Sequence, residues 1–269
     1  MKIAVMSCIH GNYEALNAVL SDIDKQRAEK IFCLGDLVGY GPHPNAVVEM
    51  IRSLDIPTVQ GCWDEDIVEG LNACECSYPS ILAEKRGKKA HEWTNDQIHP
   101  EVREYLAQLP LSLREENLCF VHGSPHNQHE YLMPEVNAFT ALERVMATGA
   151  DVLFCGHTHV PYVRTLDAGQ LAVKVKQPEG NSTKQFTAPL KQIINAGSVG
   201  EPRHGRPNAT YVIYDTDDKL TTLREVEYDY QLTCQAIIDN GLPAIFAWRL
   251  AQGLEYAERA EDPTHVCER

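Results

Sequence analysis

The chain opens Lys2-Ile3-Ala4-Val5-Met6-Ser7-Cys8-Ile9-His10-Gly11-Asn12. Lys2 to Ser7 reads as a strand that runs into a glycine-bearing turn, and Asn12 to Asp24 follows with Leu16, Val19, Leu20 and Ile23 at helical spacing. The alternation then recurs. Lys30 to Leu34 predicts a second strand ending in Gly35-Asp36, Pro44 to Ser53 a helix, and Pro57 to Gln60 a short third strand ending in Gly61-Cys62-Trp63-Asp64. This is the pattern of an α/β core.

Working outward, the stretch from about Leu71 to Leu109 is charged and helical without strand signal, a helical insertion that either covers a sheet edge or caps a site. Strands are predicted again at Leu118 to His122, Val152 to Cys155, Tyr162 to Leu166, Gln192 to Asn195 and Thr210 to Asp215. Val175 to Ala188 reads as an exposed hairpin or loop. Two C-terminal helices are expected, Asp229 to Asp239 and Pro243 to Leu254. No repeat or linker divides the chain, so one domain over residues 1–269 is expected.

The net charge of -14 argues against a protein that coats nucleic acid, since that requires Lys and Arg to displace phosphate counterions. A phosphate-bearing substrate then needs a strong local positive charge, such as a bound metal, to override the global field. No apolar run is long enough to cross a bilayer, and the N-terminus reads as a strand rather than a signal peptide. With that reading, nine cysteines suggest free thiols in a reducing, cytoplasmic setting. Oligomeric state is not legible.

Five motifs each follow a predicted strand, where an α/β sheet presents its ligand-binding residues. They are Ser7-Cys8-Ile9-His10-Gly11-Asn12, Gly35-Asp36, Gly61-Cys62-Trp63-Asp64, Val121-His122-Gly123-Ser124 and Gly156-His157-Thr158-His159. Together they offer four imidazoles, a central carboxylate and two thiols. Nitrogen, oxygen and sulfur donors in this number suit zinc, iron or a similar ion and exceed what one tetrahedral ion takes. Two metals fit, if one ligand bridges.

The order and spacing of these motifs resemble the calcineurin-like metallophosphoesterases, and within them the small bacterial and archaeal phosphodiesterases related to diadenosine-polyphosphate hydrolases. Gly39-Tyr40-Gly41-Pro42, His122-Gly123-Ser124-Pro125 with Glu130-Tyr131-Leu132, and Asn195-Ala196-Gly197-Ser198-Val199-Gly200 extend the likeness over roughly residues 2–215. The resemblance implies a four-layer α-β-β-α sandwich of two mixed sheets with the metals at one end. It implies one metal held by Cys8, His10, Asp36 and His159 and another by Asp36, Cys62, His122 and His157, with Asp36 bridging. It also implies hydrolysis of a small phosphoester, a phosphodiester or nucleotide-derived compound, by a metal-bridging hydroxide.

The chain departs from the family pattern at two ligand positions. The family's first-motif Asp is Cys8 and its third-motif Asn is Cys62. Thiolates ligate metals and shift preference from manganese toward zinc or iron, so two divalent or mixed-valence transition metals of that kind are expected. The competing reading is that both are small buried hydrophobes. Trp63 stands where many relatives carry the histidine that protonates the leaving group, which leaves His126, His129 and His204 as candidates. Catalytic roles are assigned to Asp64, His126 and His204, and substrate contacts to Arg203 and His129. The altered ligands also keep open a metal-binding or redox-responsive protein with little turnover. Cys74-Glu75-Cys76 reads as loop thiols, and Cys33, Cys119 and Cys155 as core.

Overall fold

The structure is a computed structural model, described for residues 1–71, 80–167, 190–254 and 267. The expectations for 175–188 and for Cys74-Glu75-Cys76 fall outside the described residues. Among the described residues, nine strands form two sheets. The first has the order β2 (Lys30–Cys33), β1 (Lys2–Met6), β8 (Ala209–Asp215), β9 (Leu220–Val226). The second runs β3 (Ser112–Glu115), β4 (Leu118–Val121), β5 (Val152–Cys155), β7 (Leu190–Asn195), β6 (Tyr162–Asp167). Both are mixed: β1–β2, β4–β5 and β5–β7 pair in parallel and the other ladders are antiparallel.

The unbroken apolar run of β1 follows from burial on both of its faces. Ile3 and Val5 join Phe32, Phe120, Phe154 and Ile194 between the sheets, while Ala4 and Met6 face the helices on the outer side. The rings of Phe32 and Phe120 stack across the inter-sheet gap at 4.1 Å and 12°. On the outer face of the first sheet lie α1 (Tyr13–Gln26), α2 (Pro44–Ser53) and α5 (Pro100–Ala107). Helix α6 (Ala138–Thr148) covers the second sheet. This is the expected four-layer sandwich. Leu16, Val19 and Ile23 of α1 are buried at the predicted spacing, and Asn12 caps the helix by accepting from the Ala15 N–H at 3.1 Å.

Three differences from the sequence reading have local causes. Residues 57–60 do not form a strand; a single parallel bridge, Cys33 to Thr58, is all that pairs there, because Gln60 turns its N–H to the Pro110 carbonyl at 2.8 Å. Strands β3 and β9 were not predicted: each lies at a sheet edge, and Ser112-Leu113-Arg114-Glu115 carries too little apolar character to signal itself. Helix α6 was missed as well. The charged stretch after residue 71 contains α4 (Ile81–Gln97) and α5, preceded by α3 (Cys62–Glu69). Of its two helices, α5 adds Val102 and Leu106 to the core under the first sheet, while α4 packs Ala90 and His91 with Trp63. The C-terminal helices are α7 (Tyr230–Asp239) and α8 (Ala244–Gln252). No described helix is long and apolar enough to cross a membrane.

Candidate metal centre

The carboxyl ends of β1, β2, β4 and β5 lie at one end of the sandwich, and the loops that leave them are stitched together by backbone hydrogen bonds. Cys8 N–H donates to the Gly35 carbonyl at 3.0 Å, and Gly156 N–H to the His122 carbonyl at 2.7 Å. Gly200 N–H donates to the Cys8 carbonyl at 3.0 Å. Five of the seven predicted ligands, Cys8, His10, Asp36, His157 and His159, have φ between 48° and 63°. The left-handed region is sparsely used by residues with a Cβ, so the stitching holds five strained backbones in place at one point. A side chain at Gly35, where φ is 81°, would run into the backbone of Gly61, so this close approach of two motifs needs glycine.

All seven side chains are buried and fall into two groups that share Asp36. Cys8, His10, Asp36 and His159 form one, and Asp36, Cys62, His122 and His157 the other; within each, the four donor atoms lie within 4.8 Å of one another. These are the two sets that the resemblance implied.

The orientation of the imidazoles shows what belongs between them. The Nδ1 of His10 lies 3.0 Å from the Val38 carbonyl, and that of His159 lies 2.6 Å from the Glu201 carbonyl. A carbonyl can only accept, so both Nδ1 atoms carry the proton and both Nε2 atoms are lone pairs. Those two Nε2 atoms face each other at 3.2 Å. Likewise the His122 Nδ1 donates to the Leu34 carbonyl at 2.7 Å, turning its Nε2 toward the His157 Nδ1 at 3.1 Å and Asp36 Oδ2 at 3.2 Å. Lone pairs converging in a buried space repel unless a cation sits among them, and fixed tautomers of this kind are how proteins present metal ligands. The residues fit divalent metal.

Charge in the site is set by burial and by Asp36. Burial works to raise the Asp36 pKa, but the neighbouring imidazoles, His122 first, outweigh it and hold the carboxyl below the usual range. Burial pushes both the Cys8 and Cys62 thiols well up, and the Asp36 charge adds to it. Burial also lowers His157 and His159 well below their usual value, so both are neutral, the form that ligates. The thiols need the charge of a metal to ionise.

Asp64 touches none of the donors. It is the third residue of α3, fully buried, and both its oxygens accept backbone N–H groups: Oδ2 from Asp36 at 2.8 Å and Gly61 at 2.9 Å, Oδ1 from Leu37 at 2.9 Å and Val38 at 3.4 Å. It clamps the Asp36 loop to the N-terminus of α3, where the Trp63 N–H in turn holds Asp36 Oδ1 at 2.9 Å. Burial and the Asp36 charge push its pKa up to about 7.

The remaining predicted residues lie around this core. His129 contacts Glu65 of α3 at 3.1 Å and is near enough for its charge to depress His157. His126 faces Glu143 of α6 at 3.3 Å, on an exposed side chain, and His204 lies 3.6 Å from Glu225 of β9. Arg203 is buried, bonds Glu201 at 3.1 Å and depresses His159 by its charge.

The sequence reading missed Glu201, Arg249 and Tyr40 as parts of the site. Glu201 offers its backbone carbonyl to His159 and its carboxylate to both Arg203 and Arg249 of α8, so the C-terminal helix reaches the candidate ligands through one buried acid. The signal was present: an acid two residues before an arginine, directly after the Asn195-to-Gly200 segment. Tyr40 lies 5.0 Å from the His10 ring and 4.4 Å from Trp63. Trp63 also stacks on His91 at 3.7 Å, and His91 is in turn 3.3 Å from Asp66. The tryptophan thus packs as a wall.

Comparison with known proteins identifies similar chains. The family model for the calcineurin-like phosphoesterase superfamily domain matches residues 1–219. An uncharacterized protein of Methanocaldococcus jannaschii is 37% identical over 257 residues, covering 93% of this chain and 98% of that protein. The crystal structure of a metallophosphoesterase from Sphaerobacter thermophilus is 34% identical and covers 94% of this chain and 100% of its own, with a TM-score of 0.74. A hypothetical protein from Pyrococcus horikoshii shares the fold at the same TM-score of 0.74 and 23% identity, over 94% of this chain and 98% of that one.

Proposed function

Since this chain belongs to the calcineurin-like phosphoesterase superfamily, we propose that it hydrolyses a small phosphodiester or nucleotide-derived ester at a dinuclear metal centre. The observation that carries the reading is the pair of buried four-donor groups joined at Asp36, with the Nε2 lone pairs of His10 and His159 turned toward each other. Cys8, His10, Asp36 and His159 would hold one ion and Asp36, Cys62, His122 and His157 the other. Bound there, two metals would supply an activated water and offset charge on the phosphate oxygens.

The chain's own residues set the conditions for that chemistry. Val38, Leu34 and Glu201 fix the tautomers of His10, His122 and His159 through their carbonyls. Asp64 holds the Asp36 loop. Arg203, oriented by Glu201, is a buried cation that would attract the substrate's phosphate. With Trp63 in place of the family's histidine, the proton for the leaving group would have to come from another neighbour of the clusters, among which Tyr131 packs on the His157 ring at 4.0 Å. His129, whose charge reaches His157, is a second candidate donor, and esters of good leaving groups should be the best substrates. Thiolate donors favour zinc or iron over manganese.

The test is hydrolysis of bis-p-nitrophenyl phosphate by protein reconstituted anaerobically with zinc, iron or manganese, with metal content measured in parallel. Turnover with two metals per chain supports the proposal. Two bound metals without turnover on any ester would favour the regulatory alternative.

A further inference from the structure

We propose that Arg249 of α8 is a positioning residue for one ion of the metal centre, the one held by Cys8, His10, Asp36 and His159, so that residues beyond the family domain complete that half of the site. The inference rests on the dinuclear reading above. The family match ends at residue 219, and α7 and α8 both lie past it.

Two paths lead from Arg249 to that group. On the first, its guanidinium bonds Oε1 of Glu201, while Oε2 of the same carboxylate takes the Arg203 guanidinium at 3.1 Å and lies 3.5 Å from the His159 Nδ1. The Glu201 carbonyl accepts the proton of that Nδ1 at 2.6 Å. A carbonyl and a carboxylate of one residue thus face the N–H of a single candidate ligand. Partners of this kind fix which ring nitrogen is left for the metal and raise its basicity. On the second path, the guanidinium lies 5.2 Å from the centroid of Tyr40, within reach of a cation–π contact, and the Tyr40 ring packs edge to face on His10 at 5.0 Å and 63°.

The segment that carries Glu201 is bonded to the same half of the centre. Ser198 Oγ and the Gly200 N–H both donate to the Cys8 carbonyl, at 2.8 and 3.0 Å, and the Glu201 N–H donates to Ser198 Oγ at 2.9 Å. The Arg203 N–H donates to the His159 carbonyl at 3.3 Å. In the other group, His122 takes its orientation from the Leu34 carbonyl at the end of β2, and Cys62 opens α3. The effect of Arg249 should therefore be one-sided. Both Arg249 and Glu201 are buried, so water does not replace a donor that is lost. With the guanidinium removed, the Glu201 carboxylate is no longer held at both oxygens and can turn away from His159.

The experiment uses the full chain reconstituted anaerobically with zinc, read by chelator competition and elemental analysis, neither of which needs turnover. Arg249→Met, which keeps the length of the side chain and removes its donors, should weaken one zinc by about 10- to 100-fold and leave the other as in the parent. Anomalous diffraction at the zinc edge should then find the retained ion beside Cys62, His122 and His157. Arg249→Lys, which keeps a charge for Glu201, should recover most of the lost affinity. A merely structural role would lower the melting temperature without separating the two sites. Should Arg249→Met fail to fold, Glu201→Gln tests the same path one residue nearer the ion and should weaken the same site. Zinc affinities that are unchanged in these variants, weakened alike at both sites, or not recovered by lysine overturn the proposal and leave the dinuclear reading standing. A parent chain that binds fewer than two zinc ions refutes the dinuclear reading, and the proposal with it.

Discussion

Replacing Asp64 by asparagine, nearly the same shape, should damage the protein as much as replacing it by alanine. Each carboxylate oxygen accepts two backbone N–H groups, Oδ2 those of Asp36 and Gly61 and Oδ1 those of Leu37 and Val38. An amide keeps one acceptor and turns its NH2 group toward two N–H donors, whichever way it is flipped. Three of the four bonds are 2.9 Å or shorter, and the residue is fully buried. Each buried donor left unmet costs roughly 1 to 3 kcal/mol. Part is recovered because the native carboxylate is itself disfavoured by burial, its pKa being pushed up to about 7. A net loss of about 3 kcal/mol is therefore expected for Asp64→Asn, and at 2–4 °C per kcal/mol for a chain of this size the melting temperature should fall by about 6 to 12 °C. Because the clamp holds Asp36, the shared donor, bound metal should fall below two per chain, and excess metal should recover much of the activity. Differential scanning calorimetry and elemental analysis of freshly purified protein read both effects. An Asp64→Asn protein that melts within 2 °C of the parent and holds two metals would refute the clamp.

Metal binding should release protons, and the direction follows from the thiols. Their pKa values are raised well above the usual range by burial, so at neutral pH both are protonated without metal and both must ionise to ligate. His157 and His159 are lowered and release none; His122, where Asp36 outweighs burial and raises the pKa, contributes a fraction more. About two protons per chain should leave, and overall affinity should climb ~100-fold per pH unit between pH 7 and 8; calorimetry in buffers of different ionisation heat measures this, and zero release would mean the thiols are not ligands. Mild peroxide should remove metal and activity together, since thiolates oxidise to sulfenic acid, and the double variant Cys8→Asp, Cys62→Asn should resist. Equal sensitivity of the two proteins would show that other groups are attacked.

The sequence carried the site better than the cover over it. Cys8, His10, Asp36, His122, His157 and His159 were legible because glycine turns at strand ends leave a short, ordered signature, and the structure gathers them with Cys62 into two groups. Strands β3 and β9 were not, since edge strands bury one face or less and their composition records little of it. The partnership of Glu201 with Arg249 spans 48 residues, and no local pattern reports a pairing made only in the folded chain. For the same reason His91, on a helix read as charged and solvated, gave no sign that it would stack on Trp63.

The charge carried by the ligand set bears on which phosphoester is preferred. In the proposed centre Asp36 and two thiolates would bring three negative charges and the four imidazoles none, so two divalent ions would leave it with one net positive charge. The family pattern described above, with Asp at position 8 and Asn at position 62, would leave two. Nearby, Arg203 and Arg249 both pair with the carboxylate of Glu201, in buried surroundings where charge is weakly screened. A phosphodiester carries one negative charge and a monoester close to two at neutral pH. The thiolate at position 62 removes attraction that the dianion uses more fully than the monoanion, so the chain should favour diesters. Cys62→Asn restores the missing unit of charge, and the ratio of kcat/KM for bis-p-nitrophenyl phosphate over p-nitrophenyl phosphate should then fall, by about 10-fold if the extra attraction on the dianion amounts to ~1.4 kcal/mol. The two esters share a leaving group, so the missing acid affects both alike. A ratio that stays the same in a Cys62→Asn protein holding two metals would show that ligand charge does not set the choice between them.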